Sequence, residues 1–471
     1  MPTKIKPKKI NFIILLILLV GTLLRAYNLS SESISFDEAV TIGLTKYPNL
    51  DYGNPHFYYI FLNYWIGLFG NSEFAIRLTS VIFGVLSILV LYHLANLLFG
   101  ENIALLSALI LAVNPFHIFY SQEARMYSLF VLFSLLSLLY LFKVLKETRK
   151  IKNFSGVNKA LLTKKRTNWF FYILFNLLNL YTHYFAVFVL LVEVLYFVLF
   201  YKNFKFKLKY FILTNFVVLV LFSPQFIKIY NGLLSKTSEF NWGIKPSEYF
   251  ISIFNSFLGW NILFAMVVFL LFLFGLLKID NKKTNLFGLI YVLFPVIVGF
   301  FLSFKMAIMP RYFIFILPVY IMFISKGLIN IKYKLAQILL ISGILVISGF
   351  KLVEDYSNLD NPRWSEVAAY IERNSQKNDI ILFDNGYTNF LFDYYYKGNL
   401  TSIGLLSSTN VTENEIFYNN IKPNLKASGV WLILSDDFRS DKYYKYRLGY
   451  DFKLISSKQF VGIGVYLYSK G

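Results

Sequence analysis

The sequence predicts an α-helical polytopic membrane protein that crosses the bilayer about eleven times and ends in an extracytoplasmic α/β domain. Three observations support this fold class. Hydrophobic residues make up 57% of the 471 residues and charged residues only 15%, whereas about a quarter of a soluble domain is charged. Long apolar runs recur as far as residue 350. Beyond residue 352 the chain alternates between short helical and strand patterns.

The apolar runs are long enough, or nearly so, to cross a hydrocarbon core about 30 Å thick. The runs 169–182 and 184–201 are separated only by Tyr181-Thr182-His183-Tyr184. If this turn joins two spans, the basic residues of later segments lie on the cytoplasmic side. If the stretch is one continuous span, they lie on the opposite side. The eleven runs cover residues 10–28, 74–99, 102–120, 126–146, 169–182, 184–201, 207–228, 252–277, 285–304, 311–329 and 333–350.

The basic residues follow the positive-inside rule when the N-terminus is placed in the cytoplasm. The predicted cytoplasmic segments then carry 23 Lys and Arg residues, and the outer segments before the C-terminal region carry about nine. The net charge of +20 therefore reports topology and contact with membrane lipids, and no nucleic-acid binding is predicted. The first run ends in Arg25 without a small-residue cleavage site, so it is expected to be a signal anchor in the plasma membrane.

The predicted domains are a membrane domain, residues 1–351, and a soluble extracytoplasmic domain, residues 352–471. The second part contains 13 basic and 14 acidic residues, so it is nearly neutral. Alternating helices and strands predict a small α/β layer that ends in a hairpin. The predicted elements are helix 364–374, strand 379–384, helix 387–396, strand 401–406, helix 412–427, strand 430–435, a short helix near 441–447 and a hairpin over 452–469.

The first outer loop, residues 29–73, is the longest irregular stretch of the predicted membrane domain. Asp37 and Glu38 follow the first span closely, so their carboxylates should lie near the membrane surface. The stretches 37–47 and 56–69 have the pattern of interfacial amphipathic helices. A carboxylate in such a place can act as a general base toward an acceptor hydroxyl. In the alternative, Asp37 only caps the following helix and Glu38 is an ordinary acid of its first turn.

Other polar residues recur on the same predicted outer side. Ionisable side chains at membrane depth are costly and usually functional, and arginine can bind phosphate through two parallel hydrogen bonds. The pattern indicates transfer of a group from a phosphate leaving group. In the alternative, the arginines reach toward lipid phosphates, the histidines are structural, and Glu193 pairs with a polar group on a neighbouring helix. The outer residues are His56, Arg77, Gln122, Glu123, Arg125, His183 and Arg311.

These residues form an ordered set of motifs. Phe36-Asp37-Glu38 is followed by Pro55 with Tyr58-Tyr59, by Ser72-Glu73-Phe74-Ala75-Ile76-Arg77, and by Gln122-Glu123-Ala124-Arg125-Met126-Tyr127. In this order the motifs resemble the GT-C superfamily of polyprenyl-phosphate-sugar glycosyltransferases. The nearest branch is the group of protein O-mannosyltransferases and lipid A aminoarabinose transferases. The resemblance covers about residues 10–200, and Arg311-Tyr312 with Pro318 resembles a late helix of that group.

The resemblance implies a role for each matching residue. Asp37 is the general base on the acceptor and Glu38 is its partner, in a single inverting displacement at the anomeric carbon. The other residues contact the phosphate or lipid of the donor, with His56 and His183 as further candidates. The chain has Asn54-Pro55-His56 where the family often has His-Pro-Pro or Lys-Pro-Pro. The donor contacts implied are Tyr58, Tyr59, Arg77, Gln122, Glu123, Arg125 and Arg311.

The implied partners are a polyprenyl-phosphate-sugar donor, a protein or lipid/glycan acceptor and membrane lipids. Some relatives bind a divalent metal and others need none, so the resemblance leaves a metal open, with Asp37, Glu38, Glu123 and His56 as available ligands. The absence of cysteine excludes a thiolate nucleophile and a Cys-ligated metal. The main alternative function is a transporter or flippase of lipid-linked sugars, which predicts internal repeats and broken helices. A non-catalytic scaffold is the third hypothesis.

Overall fold

The fold is taken from a computed structural model. Contacts group the chain into two units. The helical unit comprises Met1–Tyr27, Pro48–Asn71 and Ala75–Asp355, and the C-terminal unit comprises Asn28–Tyr47, Ser72–Phe74 and Tyr356–Gly471. The domain boundary predicted between residues 351 and 352 stays a prediction. The structure describes residues 12–46, 55–146, 159–234, 243–258, 262–277, 282–357, 362–384, 388–405, 415, 418–419, 429–435 and 443–469.

Helices dominate the chain up to residue 357. Short 3-10 segments precede α11, α13 and α16, at Lys205–Lys207, Pro246–Glu248 and Pro310–Ile316. The helices are α1 (Phe12–Ala26), α2 (Phe36–Lys46), α3 (Phe57–Phe69), α4 (Glu73–Phe99), α5 (Glu101–Ala112), α6 (Pro115–Gln122), α7 (Tyr127–Lys146), α8 (Lys159–Leu180), α9 (Ala186–Leu199), α10 (Tyr201–Phe204), α11 (Leu208–Phe222), α12 (Pro224–Leu234), α13 (Tyr249–Leu258), α14 (Ile262–Leu277), α15 (Lys282–Leu302), α16 (Leu317–Ile329) and α17 (Lys334–Ser357).

Several of these helices are long and apolar enough to cross a membrane. Within the described ranges, five helices meet this test by length and composition, or up to eight if each bent pair counts as one span. The helices α1 and α3 are apolar but shorter. The predicted count of eleven spans is not confirmed and stays a prediction. The helices predicted over 37–47 and 56–69 are confirmed as α2 and α3.

The segment formed by α5 and α6 bends by 57°. The sequence Asn114-Pro115 explains the bend, because proline has no amide hydrogen with which to continue a helix. The Asn114 side chain accepts a hydrogen bond from the His117 amide at 2.8 Å and so begins α6. The predicted run 102–120 is therefore two helices.

The apolar stretch around residue 182 also forms two helices, α8 and α9. The predicted cytoplasmic segment between the runs 126–146 and 169–182 is partly helical, since α8 already begins at Lys159. Within α9, Glu193 is fully buried and accepts a hydrogen bond from Ser137 of α7 at 3.0 Å. The predicted pairing of Glu193 with a neighbouring helix is confirmed.

Glycines let α14 and α16 approach at backbone distance. A methyl group added at Gly275 would lie 2.0 Å from the Phe323 carbonyl oxygen, and one at Gly327 would lie 2.3 Å from the Leu271 oxygen. Membrane helices use small residues in this way, because dispersion contacts rather than burial from water hold them together. The helix α16 is accordingly buried along nearly its whole length.

The C-terminal unit contains a five-stranded mixed sheet of order β2-β1-β3-β5-β4 within the described residues. Strand β1 pairs in parallel with β2 and β3, and β5 pairs antiparallel with β3 and β4. The predicted α/β layer with a terminal hairpin is confirmed, and predicted helix 412–427 lies outside the described residues apart from 415 and 418–419. The elements are α18 (Trp364–Asn374), β1 (Ile380–Phe383), α19 (Asn389–Tyr395), β2 (Thr401–Gly404), β3 (Gly429–Ser435), α20 (Tyr443–Asp451), β4 (Lys453–Phe460) and β5 (Ile463–Ser469).

The central strand β3 explains why this sheet is stable. Its sequence is almost continuously apolar and buried, as expected for a strand covered on both faces. The Trp431 indole donates to the Asp379 carboxylate at 3.0 Å, and the same carboxylate accepts from the Gln376 amide at 2.8 Å. The turn of the β4–β5 hairpin ends at Gly462, whose φ of +70° strains any residue with a side chain.

Candidate functional site

The helix α2 carries Asp37 and Glu38 in its first turn, within the C-terminal unit. The Glu38 carboxylate accepts from the Ser35 amide at 2.9 Å, and the Glu38 amide donates to Ser35 Oγ at 3.2 Å. This reciprocal pair is a capping box, with Ser35 as the N-cap. Glu38 is 1% exposed, and Asp37 is partly buried. Ser35, rather than Asp37, therefore caps the helix, and Glu38 fixes its start.

The helix α3 carries His56, Tyr58 and Tyr59 at its beginning. Tyr58 is fully buried, and its hydroxyl lies 3.5 Å from Thr79 Oγ1 on α4. His56 Nε2 lies 2.8 Å from Lys228 Nζ on α12. The ammonium group has only donors, so Nε2 accepts and the proton of the neutral ring is on Nδ1. Lys228 is absent from the predicted site, and no nearby motif in the sequence distinguishes it.

Two arginines from distant parts of the chain converge on one tyrosine ring. The guanidinium carbon of Arg125 lies 5.9 Å from the centroid of Tyr127, and that of Arg311 lies 5.7 Å from it. Arg125 is 6% exposed, and Arg311 is partly buried. Guanidinium groups pack favourably over aromatic faces. We call Arg125, Tyr127, His183 and Arg311 the arginine cluster.

His183 joins the cluster from the turn between α8 and α9. Its ring stacks on Phe130 with centroids 4.7 Å apart, and its centroid lies 5.9 Å from that of Tyr127. The Phe185 amide donates to His183 Nδ1 at 3.1 Å, so the proton of the neutral ring is on Nε2. Burial, and then the charges of the two arginines, lower the pKa of His183 to about 3. His183 is therefore a neutral hydrogen-bond donor at physiological pH.

The remaining predicted residues lie on α4 and at the end of α6. Gln122 donates through Nε2 to the carbonyl oxygens of Arg25, at 3.2 Å, and Tyr27, at 2.8 Å. Glu123 is partly buried between α6 and α7. Arg77 is 5% exposed in α4. The chain brings Arg125, Arg311 and His183 together, and it uses the Gln122 amide to hold the end of α1.

Arg25 is a second residue that the sequence does not reveal, because an arginine after an apolar run indicates topology. Its side chain is fully buried. The guanidinium donates to the carbonyl oxygens of Gly21, Leu111 and Ala112 and to His117 Nδ1, at 2.8 to 3.1 Å, and to Ser121 Oγ at 3.3 Å. Arg25 therefore connects α1 with α5 and α6, directly before the segment that carries Arg125.

The arginine cluster has the chemistry of an anion site. Each guanidinium carries a positive charge in buried or half-buried surroundings, where it attracts an anion more strongly than in water. Each guanidinium fork matches two phosphate oxygens, and His183 supplies a neutral donor nearby. For a metal, no group of three or more His, Asp or Glu side chains suited to an ion occurs in the described part of the chain. The resemblance leaves a divalent metal open and predicts none.

Comparison with known proteins agrees with this picture. Residues 54–161, which contain Arg125 and Tyr127, match the family model described as Dolichyl-phosphate-mannose-protein mannosyltransferase. No curated protein matches the chain in sequence.

Among solved structures, the chain is similar to ArnT from Cupriavidus metallidurans in the apo state. The TM-score is 0.64 at 12% identity, over 96% of this chain and 97% of that one. The same protein bound to undecaprenyl phosphate gives 0.63 at 12% identity with the same coverage. The archaeal oligosaccharyltransferase AglB from Archaeoglobus fulgidus, in complex with an inhibitory peptide and a dolichol-phosphate, gives 0.54 at 12% identity, over 97% and 74% of the two chains. The chain thus has the fold of ArnT and AglB. The family match over 54–161 confirms the resemblance in the part of the chain that carries Pro55, Arg77 and the motif 122–127.

Proposed function

We propose that this protein is a membrane glycosyltransferase that moves a sugar from a polyprenyl-phosphate carrier to an acceptor outside the cytoplasm. The arginine cluster carries this proposal, because Arg125 and Arg311 face one tyrosine ring beside a neutral histidine. This arrangement suits a phosphate monoanion better than a neutral sugar. The structures of ArnT with undecaprenyl phosphate and of AglB with a dolichol-phosphate support a lipid-linked donor.

The proposed reaction is a single inverting displacement. The acceptor hydroxyl oxygen attacks the anomeric carbon while the bond from that carbon to the phosphate oxygen breaks. Asp37 takes the proton of the acceptor hydroxyl, and polyprenyl phosphate leaves with the bonding electron pair. Arg125 and Arg311 stabilise the charge that develops on the leaving phosphate. The acceptor is a protein hydroxyl or a lipid or glycan.

In the proposal, the other site residues bind the lipid chain or hold Asp37 and Arg125 in position. The helix α3, which carries the buried Tyr58 and Tyr59, lines the groove for the lipid chain. Arg77 lies on the next helix, α4. Gln122 and Glu123 position the segment before Arg125. Glu38 holds the first turn of α2 through the capping box. In this proposal the protein resides in the plasma membrane, with its N-terminus in the cytoplasm and the predicted domain 352–471 outside.

The experiment is sugar transfer in membranes from undecaprenyl or dolichol phosphate that carries radiolabelled mannose, glucose or aminoarabinose. The panel is run with EDTA and with added Mg²⁺, Mn²⁺ or Zn²⁺. We expect transfer from one donor, reduced about 100-fold or more in Asp37→Asn. Asp355→Asn is the matched control, since that carboxylate pairs with Lys351 at a partly exposed position. Equal transfer by Asp37→Asn and wild type would exclude Asp37 as the base.

The arginines are tested by conservative replacement. Arg125→Lys and Arg311→Lys keep the charge but lose the planar fork. We expect each to lower kcat/KM for the donor by about tenfold or more. Arg363→Lys is the control, because Arg363 lies on the surface in an exposed pair with Glu366.

The transporter or flippase hypothesis predicts a different outcome. The bent pairs of helices in the described chain are compatible with it, because broken helices are common in transporters. Such a protein would move the labelled lipid-linked sugar between the leaflets of sealed vesicles and would form no new glycosidic bond. Translocation without transfer, for every donor and acceptor tested, would overturn the glycosyltransferase proposal.

A further inference from the structure

One tyrosine of the C-terminal unit has two partners in the segments of the first outer loop. The Ile34 amide donates to the Tyr395 hydroxyl at 2.8 Å. The same hydroxyl donates to the Glu73 carboxylate in a short hydrogen bond. Ile34, Glu73 and Tyr395 all belong to the C-terminal unit. The Tyr395 hydroxyl therefore accepts one hydrogen bond and donates its only proton in another.

Further contacts fix the same segment. Ser33 is 6% exposed, and its Oγ lies 3.4 Å from Ser365 Oγ on α18. The helix α2 packs against α19, the helix that ends at Tyr395. Burial, and then the hydrogen bond to Glu73, raise the pKa of Tyr395, so its hydroxyl keeps its proton. Residues 33 and 34 are therefore attached to the layer formed by α18 and α19.

This attachment lies directly before the turn that carries Asp37. Ile34 is 1% exposed and precedes Ser35, the N-cap of α2. The capping box then sets the backbone as far as Glu38. Asp37 is three residues beyond the amide that Tyr395 holds. A displacement of Ile34 therefore moves the Asp37 carboxylate with it.

We propose that Tyr395 is a positioning residue, by which the C-terminal unit holds Asp37 in place for proton abstraction. The proposal rests on the proposed function, since it gives Asp37 the role of general base. It gives the layer formed by α18 and α19 a part in the chemistry that acts through the position of Asp37. Misplacement of a catalytic group by about 1 Å can cost two orders of magnitude in rate, so one hydroxyl is sufficient for a measurable effect.

The test compares Tyr395→Phe with Tyr396→Phe in the full-length protein. Tyr396 is the matched control because its hydroxyl accepts from the Leu400 amide within the same layer and does not contact residues 33–38. Amide hydrogen exchange is measured first and needs no substrate. We expect Tyr395→Phe to speed exchange over residues 33–38 at least tenfold, with exchange in β3 and β5 unchanged. Unchanged exchange over 33–38 would overturn the proposal.

Transfer is then measured with the most active donor of the panel. We expect Tyr395→Phe to lower kcat by 10- to 100-fold with the KM for the donor unchanged, and Tyr396→Phe to behave as wild type. Glu73→Gln keeps an acceptor oxygen for Tyr395 and should retain most of the activity. A loss through KM, or wild-type kcat despite faster exchange, would refute positioning while Asp37→Asn still tests the base. Full transfer by Asp37→Asn would instead refute the proposed role of Asp37.

Discussion

Arg25 ends an apolar helix, where an arginine usually marks topology, yet its guanidinium is fully buried. Its hydrogen bonds reach carbonyl oxygens of α5 and the ring and hydroxyl of two α6 residues. Neighbouring glycine makes room for it, since a methyl group at Gly84 would lie 3.1 Å from Arg25 Nε and 2.3 Å from Ser121 Oγ. Arg25 therefore links α1 to α5 and α6 through buried hydrogen bonds.

Replacement of Arg25 should destabilise the helical unit strongly. In Arg25→Gln, buried carbonyl groups lose charged donors, and each such loss costs about 1–3 kcal/mol. We expect the stability to fall by roughly 3 kcal/mol or more. The measurement is the apparent melting temperature in detergent, with Arg363→Gln as the surface control. Equal melting temperatures for the two variants would contradict this role.

His183 predicts a dependence of stability on pH. Its pKa is about 3 in the folded chain, against an ordinary value of 6.5. The unfolded chain therefore binds a proton first, and stability is lost as the pH falls from about 6.5 toward 3. At pH 4.5 the loss amounts to roughly 3 kcal/mol. The melting temperature should fall less between pH 7.5 and 4.5 in His183→Gln than in wild type, and an identical fall would contradict the prediction.

At the scale of elements, the contact between α14 and α16 is set by glycine. Gly275→Ala places a methyl group against a backbone oxygen, which cannot move aside as a side chain can. We expect a loss of about 1–3 kcal/mol. The matched control is Gly343→Ala in α17, where nothing lies within 4 Å of the added carbon. That variant should be neutral or slightly stabilised, because alanine favours helix. A detergent melting series separates the two.

The elements also show how far the sequence could predict the fold. The helices α2 and α3 and the β4–β5 hairpin follow from periodicity and turn residues, which act locally. The bend at Asn114-Pro115 has a local signal in the proline, but the apolar residues on both sides predict one continuous span. The start of α8 does not follow from the sequence, because the basic run Lys164-Lys165-Arg166 is typical of a cytoplasmic loop, although lysine and arginine are good helix formers. The sequence also predicts Arg125, Arg311 and His183 as candidate site residues. Their convergence on Tyr127 depends on tertiary packing and cannot be predicted from local patterns.

For the whole molecule, the distribution of lysine and arginine predicts the orientation in the membrane. The chain has no cysteine, so single cysteines can report each side. Ser457→Cys on β4 and Asn203→Cys on α10 both occupy exposed positions. In intact cells, a membrane-impermeant maleimide should label Ser457→Cys, and it should label Asn203→Cys only after lysis. The reverse pattern would invert the proposed topology.

The attachment of Arg25 has a consequence for biosynthesis. Its partners Leu111, Ala112, His117 and Ser121 lie 86 to 96 residues later in the chain. Translation therefore completes α1 well before the ribosome has made the groups that hold its guanidinium. Until then the charge has to remain in contact with water or lipid phosphate at the edge of the bilayer. We therefore expect α1 to take its final position only once α5 and α6 have been made, so that the early helices assemble together.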